Sequence, residues 1–298
     1  GEVGLWVEAM WRPIQELNIV GGVRLNSWIG NFTDAGVDPR LTISWDVTEG
    51  TRLTLAGGLN HQAPFPDETS ESVGAPGLTT EKGGYVSVGL RQDLFDVLNI
   101  DVQGFYKRLF DLVSPTGASW GEDGLRYDND GTGHVFGGEL LARWNAAWFD
   151  GWVSYTLSRS VRTDQPGDDE RPFSYDQTHV FAVVAGVKLP GDWRIGARFR
   201  YASGNPFTPL EAGYYDAGAD VYVPKPAGPP LSGRLDGFMQ LDLRVDKAFV
   251  FESWKLKVYL EFQNATNQQN VEFMNYRYDY SAQEPVNEMQ QAGFQRPR

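Results

Sequence analysis

From Glu2 onward the chain alternates apolar and polar residues over stretches that run to about 10 residues or more, interrupted by breaks of two lengths. Tight breaks fall near Arg12–Glu16, Val47–Gly50, Leu94–Val97, Ala147–Gly151, Leu189–Asp192 and Val250–Ser253. Between them lie wide breaks at Trp28–Asp38, Asn60–Lys82, Leu112–Gly131, Ser160–Tyr175 and Gly204–Asp236. Tight and wide breaks alternate strictly, which delimits about twelve strands. A meander with short turns on one edge and long loops on the other is the pattern of an all-β, antiparallel up-and-down transmembrane β-barrel.

The strand faces carry the same message. Trp254, Leu256, Val258, Leu260 and Phe262 alternate with Lys255, Lys257, Tyr259, Glu261 and Gln263. Trp193, Ile195, Ala197, Phe199 and Tyr201 oppose Arg194, Gly196, Arg198 and Arg200, and Met239, Leu241, Leu243 and Val245 oppose Gln240, Asp242, Arg244 and Asp246. Successive strand residues point to opposite faces, so one face is apolar and the other polar. A soluble sandwich would turn the apolar face inward, and a membrane barrel would turn it to lipid. Length separates the two: soluble strands run to about 5–6 residues, whereas a tilted membrane strand needs about 9–11. Trp11, Trp28, Trp45, Trp148, Trp152, Trp193 and Trp254 all fall at or near strand ends, where an interfacial girdle is expected.

Composition narrows the function. A mean hydropathy of -0.40 is compatible with a barrel wall, which shows lipid only every second side chain. No run of 18 apolar residues is present, which excludes a helical span. Cysteine is absent, so no disulfide or thiolate metal site can form. Nearly all of the net charge of -13 sits in the five long loops, which hold 18 Asp/Glu against 6 Lys/Arg. Nothing resembles a basic stripe, so nucleic acid is not an expected partner. Acidic loops read first as a solvated face, and secondarily as a means of bridging divalent cations or attracting a cationic ligand.

Candidate chemistry is sparse. His61, His134 and His179 each stand at a loop–strand junction without a nucleophile motif, so no catalytic residues are expected. Asp168-Asp169-Glu170 and Asp128-Asn129-Asp130-Gly131 offer oxygen ligands, but turn chemistry accounts for the second, and no metal site or cofactor is assigned. Arg194, Arg198, Arg200, Asp242, Arg244 and Asn205 are the candidate ligand or lumen residues. Guanidinium groups suit carboxylate and phosphate. Pairing with acids on neighbouring strands is the simpler role for them, because a polar lumen needs compensating charge.

Several segments resemble the later part of a TonB-dependent outer-membrane receptor. They are Asp38-Pro39-Arg40-Leu41, the two-strand unit Gly83–Val113, Tyr127–Gly131 followed by Gly137–Leu141, and Tyr175-Asp176-Gln177-Thr178-His179. Further along come Gly204-Asn205-Pro206-Phe207-Thr208-Pro209, Gln240–Lys247 and Asn264–Asn267, in an order that covers nearly the whole chain. The resemblance implies a wall of about 22 strands around a plugged lumen, of which this chain supplies the later ones. The plug and early strands are then expected upstream of Gly1. Residues 1–298 form one barrel domain in this reading, with strands to about residue 266. An irregular segment over 267–298 allows one short strand at 271–280 and lacks the expected closing strand that ends in an aromatic residue.

By resemblance the function is active uptake of a scarce nutrient across the Gram-negative outer membrane. A ferric siderophore, cobalamin, a carbohydrate or a peptide would serve as cargo. Outer-membrane lipid and lipopolysaccharide, the nutrient itself, and the TonB energy-transducing complex are the expected partners. A passive porin of about 12–14 strands, or a structural or adhesive barrel, is the alternative.

Overall fold

The computed structural model describes residues 1–30, 32–70, 74–117, 126–216, 218, 221–279 and 284–292. These residues form β1 (Glu2–Ile14), β2 (Leu17–Trp28), β3 (Asp34–Thr48), β4 (Thr51–Gln62), β5 (Glu81–Leu94), β6 (Leu98–Pro115), β7 (Tyr127–Asn145) and β8 (Phe149–Thr163). Then come β9 (Arg171–Pro172), β10 (His179–Leu189), β11 (Trp193–Ala202), β12 (Pro206–Phe207), β13 (Leu210–Asp216), β14 (Val221–Pro226) and β15 (Gly233–Arg234). The last are β16 (Phe238–Val250), β17 (Lys255–Phe262), β18 (Asn270–Asp279) and β19 (Glu284–Ala292). One sheet runs β1-β2-β3-β4-β5-β6-β7-β8-β10-β11-β16-β17, with β9 paired to β8 off that path. Strands consecutive in sequence are neighbours in space, which is the up-and-down order that the alternation predicts. No helix among the described residues is long and apolar enough to cross a membrane.

The tight turns have a local cause. Gly191 and Asp192 both lie at positive φ (74° and 58°), as do Phe95 and Asp96 (54° and 57°). Two consecutive left-handed residues make the turn whose twist matches the strands it joins. Gly191 accepts that backbone without strain.

The loop side differs from the sequence reading in extent. β6 continues to Pro115 and β7 begins at Tyr127, so both strands reach into the break expected at Leu112–Gly131. Side chains hold this extension. Ser114 Oγ donates to Asp128, and Asn129 Nδ2 donates to the Asp111 and Thr79 carbonyls. The break expected at Gly204–Asp236 contains β12 paired with β15 and β13 paired with β14. Its Pro/Gly-rich sequence has no long alternation to reveal such short ladders. β18 and β19 pair with each other over the stretch read as irregular. Residues 280–283 and 293–298 of that stretch, among them the last residue of the expected 271–280 strand, lie outside the described residues.

Internal contacts divide into two units. The first comprises Gly1–Asp93, Asp101–Gly138 and Arg159–Glu170, and the second Leu94–Ile100, Glu139–Ser158 and Arg171–Arg298. In the first unit the buried apolar side chains are Trp28, Ala75, Leu78, Leu109, Leu112 and Val161, gathered where the long loops meet the strands. Along the strands, Leu25 pairs with Val37, Trp45 with Leu53 and Leu55 with Val88, and all of them are exposed. In the second unit, Ile195, Leu243, Leu256, Val258 and Leu260 are likewise exposed on one face. Among the described residues no second layer covers these apolar rows. A continuous exposed apolar surface of this kind marks an interaction site, lipid included.

Candidate functional site

The polar face of the second unit is built by register. β11 and β16 set Arg198 opposite Asp242, Arg200 opposite Gln240, Gly196 opposite Arg244 and Arg194 opposite Asp246. Because side chains alternate, all of these groups fall on one face. Arg198 donates from Nε and Nη2 to Asp242 Oδ2 at 2.8 and 2.6 Å. Asp242, with only 6% of its side chain exposed, also accepts from the Asn264 amide and from Gln240 Nε2. Arg200 Nη2 donates to Gln240 Oε1 at 2.7 Å. Arg244 donates to Asp246 and Glu261 and stacks over the Tyr259 ring at 3.8 Å. Arg194 pairs with Asp150 on β8, reaching across β10 to do so. Gly186 makes that reach possible, since a Cβ there would stand 2.5 Å from Arg194 Nη2.

Asn205 lies apart from this ladder, in the loop after β11, with a buried side-chain oxygen that finds no hydrogen-bond donor among the described residues. Beside it a clasp closes the loop. Arg234 donates to the Asp176 and Gly204 carbonyls and pairs with the Asp176 carboxylate, which is almost fully buried.

The tryptophans divide. Trp11, Trp45, Trp148, Trp193 and Trp254 are exposed, and Trp254 stacks on Phe251 with centroids 4.1 Å apart. Trp28 is buried against Phe32 at 6.3 Å. Trp152 pairs with Val184, which itself faces Arg198, so its register places it on the polar face.

In the first unit the polar groups again neutralise one another. Asp38 accepts from Asn26 and contacts His61 Nδ1, both at 2.6 Å, and Arg24 and Arg40 pair with Glu2 and Glu8. Many loop acids are occupied as hydrogen-bond acceptors. Asp34 takes the Thr80 amide, Glu81 the Val113 amide, and Asp128 the Gln165 side chain. Glu68, in the loop after β4, accepts the Phe65 amide; burial nonetheless holds its carboxyl above the ordinary range, with Glu81 and Asp67 adding to the effect. Part of the loops' negative charge is thus structural.

The three histidines serve separate contacts. His61 faces Asp38, His134 is sandwiched between Tyr106 and Phe136 within 3.6 Å of Glu170, and His179 meets the Tyr155 hydroxyl. No group of three or more metal-binding side chains converges among the described residues. A hollow of about 480 Å³ in the first unit is lined by Asn60, Tyr85, Ser87, Gln103, Phe105 and Lys107. Three rings (Tyr106 is the third), two amides and one ammonium suit non-covalent capture of a polar small molecule. No sequence signal points to this hollow, because its residues come from four strands, β4 to β7, and share no local motif.

The TonB dependent receptor-like, beta-barrel family matches residues 2–265. The FrpB iron transporter from Neisseria meningitidis (F3-3 variant) is 17% identical with a TM-score of 0.65, over 90% of this chain and 41% of its own. The ferric-catecholate import receptor Fiu from E. coli is 13% identical with a TM-score of 0.67, over 97% and 43% of the two chains. For the outer membrane transporter YddB from Escherichia coli the figures are 12%, 0.67, 91% and 42%. The chain therefore spans about two fifths of the length of these structures. No curated protein matches it. The matched family and these neighbours are receptors and transporters, not enzymes. With the strand order, the register and the family match in agreement, this chain belongs to the TonB dependent receptor-like β-barrel family.

Proposed function

We propose that the complete protein carrying this chain is an outer-membrane receptor that imports a scarce small-molecule nutrient, with TonB supplying the energy. The family match over residues 2–265 carries this reading. Two features of the chain support it. Its apolar rows are exposed as a lipid-facing wall requires. Its polar face holds Arg194, Arg198 and Arg244 in ion pairs with Asp150, Asp242 and Glu261, and Arg200 against Gln240, an arrangement suited to a wet or plugged lumen. In this reading those acids compensate three of the four arginines. The hollow at Tyr85, Phe105 and Lys107 and the unpaired oxygen of Asn205 remain for ligand contact. Capture is non-covalent and needs no cofactor.

The test is uptake in a Gram-negative host lacking the gene, complemented with the complete protein, with and without TonB. Labelled ferric siderophore, cobalamin, carbohydrate and peptide are the cargoes to compare. Uptake of one cargo that requires both the protein and TonB is the expected result. Entry of many solutes independent of TonB would identify a passive porin instead. Uptake of none, with the protein assembled in the membrane, would favour a structural or adhesive barrel.

A further inference from the structure

The apolar face of the second unit carries one fixed charge in β10, β11, β16 and β17, and it lies next to the tight turns. Register places Lys247 opposite Trp193 on β11 and Val258 on β17, among Ile195, Val245, Phe249 and Leu256. Asp246 and Arg244, its neighbours in sequence, belong to the opposite face. Lys247 Nζ lies 5.6 Å from the Trp193 ring centroid and 5.2 Å from that of Phe249, and it donates to the Gly191 carbonyl in the β10–β11 turn. No carboxylate lies within ion-pair distance of it among the described residues. An ammonium has three donors, so the Gly191 bond leaves two without a protein acceptor there.

A lone ammonium at the edge of an apolar wall, framed by aromatic rings, has the arrangement of a lipid contact. The stem runs along apolar surface while the head reaches the polar layer. Aromatic rings hold that depth at the interface. We propose that Lys247, framed by Trp193, Phe249 and the Gly191 carbonyl, binds the phosphate of an anionic phospholipid in the leaflet that faces the tight turns. This rests on the membrane-spanning reading above. The apolar rows beside Lys247 offer no acid to a zwitterionic headgroup's cation, so an anionic headgroup is the better match. Rows such as Ile195, Val245 and Val258 would receive the acyl chains.

The experiment uses the complete protein in phosphatidylcholine bilayers containing phosphatidylglycerol, with retained lipid counted by native mass spectrometry after extraction. Unaltered protein should retain phosphatidylglycerol selectively. Lys247→Gln should lower that selectivity roughly fivefold, the factor for one lysine near a charged surface. Lys247→Arg should keep it, and Lys257→Gln, which removes the same charge from the polar face, should leave it unchanged. Equal retention of both lipids by the unaltered protein, or full selectivity in Lys247→Gln, would overturn the site. Should Lys247→Gln fail to insert, salt titration of the unaltered protein decides. A contact made by charge loses selectivity as ionic strength rises, and salt-independent selectivity refutes it. Failure of the unaltered protein to enter any bilayer would instead bring down the membrane reading itself.

Discussion

At the scale of single residues, two ion pairs on the same polar face separate by burial. Asp242 is 6% exposed and accepts from Arg198, Gln240 and the Asn264 amide, whereas Asp150 is 31% exposed and shares Arg194 with solvent. Removing an acceptor costs most where the donors left behind cannot reach water. Asp242→Ala should therefore lower the stability of the refolded protein by about 2 kcal/mol, and Asp150→Ala by only about 0.5 kcal/mol. Urea midpoints in detergent measure both; equal losses would show that the ladder is uniformly wet. Glu68 makes a pH prediction. Its carboxyl is raised in the folded loop above the ordinary 4.5, so the folded loop holds that proton more tightly than the unfolded chain. The stabilising contribution is then complete below about 4.5 and lost as pH rises through the raised folded value. Hydrogen-exchange protection of the Thr69 amide, which donates to the Phe65 carbonyl, should fall over that window after correction for intrinsic rate. In Glu68→Gln the fall should disappear.

Elements obey rules that a sequence carries in different degrees. Alternation sets the long strands because each shows one face to an apolar medium and one to a polar medium, and the register pairs Leu25 with Val37 and Arg198 with Asp242 accordingly. Tight turns were legible for the same reason, since the alternation stops on both sides of them. The ends of β6 and β7 were not. Their extension depends on Ser114, Asp128 and Asn129, whose hydrogen bonds join residues as far apart in sequence as Thr79 and Asn129. The ladders β12–β15 and β13–β14 were hidden likewise, being too short for a period to register. Among the candidate residues, the register could foretell which side chains share a face, but not that Arg194 would cross Gly186 to Asp150 or that Trp28 would be buried. The Leu94–Val97 turn supplies a prediction at this scale. Phe95 and Asp96 both hold positive φ, a backbone that glycine, asparagine and aspartate adopt most readily and that costs roughly 1–2 kcal/mol at Phe95. Replacing the pair by Asn-Gly should raise the urea midpoint and leave the register untouched. An unchanged or lowered midpoint would show that the turn is set by tertiary contacts rather than by its own conformational preference.

Taken whole, the chain departs from soluble proteins in where its apolar surface goes. Leu5, Leu55, Val88, Ile195, Leu243 and Val258 are all exposed, while the polar face carries paired charge. Such a surface would be an aggregation liability in water, and in a bilayer it is the means of residence. Cysteine is absent from residues 1–298, so an introduced thiol is the single thiol of this chain. Single cysteines placed along β11 and β16 of the complete protein in bilayers, with any cysteine outside residues 1–298 replaced by serine and each carrying a spin label, should report period-two accessibility. Labels at Ile195, Ala197, Leu243 and Val245 should be relaxed by oxygen, which partitions into lipid. Those at Gly196, Arg198, Gln240 and Arg244 should be relaxed by a water-soluble paramagnetic complex. The register joins these residues in pairs, so the two strands must report in phase: Ile195 with Val245, Ala197 with Leu243. Inverted phase, with oxygen reaching the arginine positions, would place the charged ladder against lipid. There the cost of a charged side chain, about 2–4 kcal/mol for Arg or Lys at the midplane, would make the wall untenable, and both the lumen assignment and the transport proposal would fall with it.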